Sequence, residues 1–404
     1  MAKRSRVQNV LILLALGAGL IPIFVLGLFT YMNATKKALH PSVQDVPSVT
    51  FSTPSSQWTG AVDVARQVAR VGLVEQNLPG LSVAVGIDGE LAWAEGFGWA
   101  DLENKVRVAP NTRFRIGTTS TALTAAAAGL LIEQGTLKLD DEIQTYVAEY
   151  PKKQQPVTIR QLMGNLAGVR NDGGDESPML SRHCERAVDA IPVFADFPLL
   201  FDPGTDYSYS SNGWTLVSAA IEAATHEQLF KFMRRQIFEP LGMNDTKGET
   251  SSELIPLMAN SYFPRFAANP TYGPDPMGAA EFSCFSGAGA ILTTPTDLVR
   301  FAMAVNGGKL LQPATVALLQ TTQRRPNGQE TGYGLGWDLE TAELAGKQTR
   351  VIGHDGDIIG GRVSSLLIFP DHGIVVAIVS NTSYANTFDL GVKIAEAFAK
   401  QAHR

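Results

Sequence analysis

Apolar residues follow three rhythms along this chain, and each predicts a different element. An uncharged run from Val10 to Met32 follows Lys3, Arg4 and Arg6. As a helix rising about 1.5 Å per residue it is long enough to cross a hydrocarbon core of about 30 Å. Pro22 is compatible with such a helix, because neighbouring groups in a membrane can satisfy the carbonyl it frees. The run passes into Tyr31, Met32 and Asn33 with no small-x-small cleavage site, so residues 10–32 are expected to be an uncleaved anchor behind a basic flank, 1–9. The positive-inside rule then puts the rest of the chain outside the cytoplasm, in a periplasmic or extracellular space. Residues 33–57, rich in Pro, Ser and Thr, read as a tether, and a domain is expected over 58–404.

The other two rhythms lie inside that domain. Val62, Ala65, Val68, Ala69, Leu73 and Val74 recur at helical spacing and predict an amphipathic helix over Gly60 to Glu75. Leu81 to Ile87 and Glu90 to Gly98 are β-type runs joined by Asp88-Gly89, a strong hairpin signal. Helices are predicted over Ala122 to Gln134, Trp214 to Ala224 and Leu229 to Phe238. A second hairpin is predicted from Arg362 to Ser380 around Asp371-His372, and a closing helix from Phe388 to Gln401. Strands from the two ends of the chain must therefore share one antiparallel sheet. The predicted fold class is α/β (α+β), a sheet flanked by helices with an α-helical lobe formed by the middle of the chain.

Composition narrows the function. Of 404 residues, 45% are hydrophobic and 18% charged, as in a globular protein with a large core. A net charge of -6, with no basic run after the first residues, excludes a nucleic-acid partner of the ordinary phosphate-neutralising kind. Cys184 and Cys284 lack the repeated Cys/His spacing of a zinc site, and neither a metal nor another cofactor is expected. The two cysteines read as separate buried thiols, a single disulfide being the alternative open to an extracytoplasmic domain.

Four stretches carry candidate chemistry: Phe114-Arg-Ile-Gly-Thr-Thr-Ser-Thr, Thr158-Ile-Arg-Gln-Leu-Met-Gly-Asn-Leu-Ala-Gly, Pro203-Gly-Thr-Asp-Tyr-Ser-Tyr-Ser-Ser-Asn, and Gly353-His-Asp-Gly. In this order and spacing they resemble the serine β-lactamase and penicillin-binding protein superfamily, in particular its class C-like hydrolases. Phe238-Glu-Pro-Leu-Gly-Met-Asn-Asp-Thr and Tyr333-Gly-Leu-Gly-Trp add to the likeness. The resemblance implies acyl transfer, in which a hydroxyl attacks a carbonyl while Lys and Tyr move protons and two backbone N–H groups hold the oxyanion. It puts Thr118 at the nucleophile, Thr121 at the lysine, Tyr209 at the tyrosine and His354 on the opposite wall. Asn165, Ser211, Asp355, Gly356 and Asp357 would contact substrate, with the N–H groups of Thr118 and Asp357 as the oxyanion hole. The implied partner is a small-molecule or peptide acyl substrate.

Three departures stand out: Thr121 replaces the lysine, Asn165 a histidine, and Ser211 the asparagine of Tyr-x-Asn. A tyrosine of ordinary pKa near 10 is about one part in a thousand phenolate at pH 7, and Thr121 brings no cation to change that. His354 is the local side chain whose ordinary pKa suits proton transfer. Thr118, Thr119 and Ser120 also suit a plain role in capping the Ala-rich helix. Two functions follow: a hydrolase that uses Thr118, or a catalytically impaired relative that serves in binding, regulation or assembly.

Overall fold

Seven strands from both ends of the chain follow one another in a single antiparallel sheet, as the two hairpins require, and a short eighth, Val106–Arg107, pairs beside Glu90–Asp101. The structure is a computed structural model that describes residues 21–51, 56–171, 177–249 and 254–402. The strands are β1 (Ser48–Thr50), β2 (Gly80–Ile87), β3 (Glu90–Asp101), β4 (Asp338–Leu344), β5 (Lys347–Ile358), β6 (Gly361–Phe369) and β7 (Ile374–Ser380). Their spatial order is β1-β3-β2-β7-β6-β5-β4, so the N-terminal hairpin meets the C-terminal one along β2 and β7, with Val85 opposite Val376. Asp88 and Gly89 both have positive φ, as the tight turn between β2 and β3 demands.

Helices α1 (Thr59–Glu75) and α5 (Thr387–Ala402) cover one face of the sheet. Their stripes, including Val62, Ala65, Leu73, Ile394 and Phe398, form a core with Val83, Val85 and Val376. The opposite face meets α4 (Pro295–Asn306) and the lobe built on α2 (Ser120–Glu133) and α3 (Ser211–Thr225). Covered on both sides, β2 and β7 are buried throughout, which explains their continuous rather than alternating apolar runs. The helix expected over Leu229 to Phe238 changes winding along its length, from α over Leu229–Met233 to π over Arg234–Phe238.

The first part of the expected anchor, residues 10–20, lies outside the described residues. Residues 21–34 are helical, and Ile23, Phe24 and Leu26 are exposed on them. Among the described residues no helix is long and apolar enough to cross a membrane. The stretch read as a tether is fastened to the domain from Lys37 to Thr50. Asn77 accepts from the Leu39 N–H at 2.8 Å and donates to the Lys37 carbonyl at 3.0 Å, His40 and Val46 are buried, and β1 pairs with β3.

The cysteines are not separate thiols. Cys184 and Cys284 form a disulfide across a Cα–Cα distance of 4.9 Å. They are 100 residues apart in sequence, and their proximity arises only when the lobe folds. The bond ties the segment before Ala187–Ala190 to the turn Ser283–Ala288, whose Phe285 borders the cavity beside Thr118.

Candidate active site

The site is built first from backbone. Thr118 lies in the one-turn 3-10 helix Gly117–Thr119 that leads into α2, and this turn presses against β5. Two glycines make the approach possible. Gly117 has φ of +55°, and a Cβ there would lie 2.1 Å from the Asp357 carbonyl oxygen. A Cβ on Gly356 would lie 2.0 Å from the Ile116 carbonyl oxygen. The register of β5 against β6 shifts between Gly356 and Asp357, and a bulge of this kind re-aims backbone groups. Here the Asp357 N–H donates to Thr118 Oγ1 at 3.0 Å, and that hydroxyl donates to the Asp355 carbonyl at 3.2 Å. Buried Thr119 locks the turn by donating to the His354 carbonyl at 3.1 Å, while Ser364, 2.8 Å from it, donates to the Ile116 carbonyl.

Side chains from the lobe face this frame. Tyr209 precedes α3, where Ser210 caps the helix by accepting from the Gly213 N–H at 2.9 Å. The Tyr209 hydroxyl is 3.1 Å from Thr121 Oγ1. Burial pushes the Tyr209 pKa up; the Thr121 bond opposes this and the Asp338 charge adds to it. Tyr209 is therefore a neutral phenol throughout the physiological range.

His354 is buried on β5. Its Nδ1 is 2.6 Å from the Asp355 carbonyl, which can only accept, so this nitrogen carries the proton. Nε2 is then an acceptor, and the Tyr333 hydroxyl donates to it at 3.1 Å. Tyr333 packs edge-on to both His354 and Tyr209, at centroid distances of 5.8 and 6.1 Å. Burial is the largest cause of the high pKa values of Tyr207 and Tyr333 as well.

These groups surround a cavity of about 350 Å³. Thr118, Tyr209, Ser211, His354, Asp355 and Asp357 all line it. Thr121 touches the site through Tyr209, and Gly356 acts through the close approach to Ile116. Asn165 is buried behind the Tyr209 segment instead, accepting from the N–H groups of Ser208 and Ser210 at 3.0 and 3.1 Å with its own φ at +57°. Among the described residues no group of three or more His, Cys, Asp or Glu is placed to hold a metal.

Of the charged groups in the cavity, Asp355 and Asp357 were expected from the sequence, and Asp338, Glu340 and Arg362 were not. Asp338 and Glu340 on β4 line it with Asp355 and Asp357, and Arg362 crosses from β6 to pair with Asp355 at 2.7 Å. Burial raises the Asp355 pKa to about 6 against the opposing pulls of Arg362 and the Ser365 hydroxyl, and burial also raises Asp357 and Glu340. Tyr333 belongs to the Tyr-Gly-Leu-Gly-Trp stretch, and that motif was the signal available for it. Asp338 follows the same stretch directly, whereas nothing in the local sequence points to Arg362.

Comparison with known proteins finds relatives over most of the chain. The Beta-lactamase family model matches residues 64–400. The chain is 26% identical to the mitochondrial serine beta-lactamase-like protein LACTB of Bos taurus, over 84% of this chain and 80% of that one. It is 27% identical to Penicillin-binding protein 4* of Bacillus subtilis, over 72% of this chain and 66% of that one. Among solved structures, D-amino acid amidase from Ochrobactrum anthropi superposes with a TM-score of 0.69 at 22% identity, covering 85% of this chain and 100% of that chain.

Proposed function

Because the chain belongs to the Beta-lactamase family of serine hydrolases, which act on acyl groups, we propose that it cleaves amides, esters or peptides through a covalent acyl-enzyme formed on Thr118. The observation that carries this reading is the Asp357 N–H held 3.0 Å from Thr118 Oγ1. Rotation of Thr118 about χ1 swings Oγ1 toward Tyr209 and frees that N–H. The Thr118 and Asp357 N–H groups then face the carbonyl oxygen on which negative charge develops. Oγ1 bonds to the acyl carbon as the bond to the leaving group breaks. The Thr118 proton passes to the Tyr209 oxygen while Tyr209 gives its own proton to the leaving group. Water reverses the sequence, taking the acyl group and returning the proton to Thr118. A neutral phenol suits this shuttle, which needs no phenolate.

The domain acts outside the cytoplasm, held by the apolar N-terminal run as a membrane helix; the exposed Ile23, Phe24 and Leu26 support the anchor. Fractionation tests it directly: the full chain should sediment with membranes and the chain without residues 1–36 should not. Soluble full-length chain would contradict the anchor.

A second reading, a binding or regulatory module, is favoured by the ties within the site. The Thr118 hydroxyl donates to a backbone carbonyl, the accepting nitrogen of His354 is taken by Tyr333, and no lysine is among the described residues lining the cavity. Hydrolysis of p-nitrophenyl acetate separates the two. Catalysis predicts turnover reduced at least about 100-fold in Thr118→Ala and in Tyr209→Phe. Equal slow turnover in wild type and Thr118→Ala would favour the binding module.

A further inference from the structure

Arg362 is the one guanidinium or ammonium group among the described residues lining the cavity, and it is already occupied. Its Nη2 lies 2.7 Å from Asp355 Oδ2, and its plane sits over the Phe388 ring at 5.9 Å. The Asp355 side chain is only 14% exposed, and its other oxygen accepts from Ser365, so the carboxylate is fixed in place. An entering carboxylate therefore finds its natural partner, a guanidinium, paired with a carboxylate of the chain itself. Asp338, Glu340 and Asp357 line the same cavity without a second cation to offset them. Phe282, Phe285 and Ile359 give the same cavity an apolar part.

We propose that Asp355 is a specificity-determining residue: by occupying Arg362 it makes the cleft reject acyl substrates that carry a carboxylate and select those that carry a cationic amino group next to an apolar side chain. The substrate class is thus an amide or ester of an amino acid or peptide with a free ammonium group. Like charges across a binding site suppress the wrong partner, and the paired Arg362 removes the attraction that would otherwise offset this. This inference rests on the acyl-transfer reading for the word substrate, but the charge preference is a property of binding and can be measured without turnover.

The experiment uses a matched pair of unreactive probes, phenylalaninol, which has no acyl group to lose, as the cation and N-acetylphenylalanine as the anion, each in both enantiomers, with affinity measured by calorimetry at pH 7.5. Wild type should bind the preferred enantiomer of the cation at least about ten-fold more tightly than either enantiomer of the anion. Asp355→Asn keeps the Ser365 contact and releases Arg362, so the preference should shrink about ten-fold or invert. Arg362→Met should widen it, because the four carboxylates then stand unopposed. Thermal unfolding of each variant shows that the fold persists. Wild type that binds both probes equally, prefers the anion or binds neither would overturn the proposal, as would a preference unchanged in folded Asp355→Asn. Turnover of uncharged p-nitrophenyl acetate reports separately on acyl transfer: charge preference without turnover contradicts that reading alone, and turnover without charge preference contradicts this one alone.

Discussion

The backbone around Thr118 is fastened to the sheet at every step, whereas the side chains that would move its proton are fastened mainly to one another. The turn is held through Thr119, Ser364 and the Asp357 N–H, and its approach to β5 depends on Gly117 and Gly356. Around it, Thr121 bonds Tyr209 and Tyr333 bonds His354, so the hydroxyls are satisfied without a cation or a free base. The difference teaches that oxyanion stabilisation and proton transfer are separable. The first would rest on main-chain geometry, which a change of side chain need not disturb. The second depends on particular side chains and is lost or rerouted when a lysine becomes a threonine.

The sharpest way to break the frame is Gly356→Ala. The new Cβ would meet the Ile116 carbonyl oxygen at 2.0 Å and Ser364 Oγ at 2.2 Å, with rigid backbone on one side. Stability should fall by about 4 kcal/mol or more, measured as the shift in urea midpoint. An unchanged midpoint would mean that the turn does not press on β5 as described.

Repairing the other region is the complementary test. Thr118→Ser with Thr121→Lys returns an unhindered hydroxyl and a cation beside Tyr209, which opens a phenolate route besides the neutral shuttle and should speed acylation by up to about 1000-fold, the factor by which an unaided phenol falls short of full ionisation at pH 7. Each single change should give less than about a tenth of that gain, because the residues act as a unit. A double variant no faster than wild type would place the defect in the frame.

Asp355 joins the two regions and gives a smaller, pH-dependent effect. Its pKa of about 6, raised by burial, means that the folded state holds a proton that the unfolded carboxyl, near 3.8, has released. Its contribution is therefore fully present below about pH 4 and is lost as pH rises through 6, by up to about 3 kcal/mol. Subtracting the Asp355→Asn stability curve from wild type should show that decline, and a flat difference between pH 4 and 7 would contradict it.

The least of the expected effects concerns the N-terminal segment. Removing residues 1–50 should cost about 1–2 kcal/mol more than removing 1–36, because the longer deletion takes β1 and the buried His40 and Val46. Equal midpoints would mean that the segment is only a tether.

How much of this was legible in the sequence depended on whether the signal is local. The two hairpins, α1, α2, α3 and α5 each carry their own period or turn residues, and all appear within a few residues of the predicted bounds. Strand β4 was not recognised, because Asp338–Leu344 interleaves exposed Glu and Thr with few apolar residues at a sheet edge. The Cys184–Cys284 bond escaped for another reason: no local rule joins positions 100 residues apart. In the site, motif order brought Thr118, Tyr209 and His354 to one cavity, but not the partner of His354. Tyr333 reaches His354, and Arg362 the cavity, from separate strands or loops, and only tertiary packing sets their polar contacts.

The central claim is that the preserved frame still lets Thr118 form a covalent bond. Intact mass after incubation with an uncharged fluorophosphonate tests it, since attack by Oγ1 on phosphorus expels fluoride and leaves one phosphonyl group on the chain. The account predicts a single slow adduct, mapped to Thr118 and absent from Thr118→Ala. No adduct on the folded wild type, or one that persists in Thr118→Ala, would contradict it.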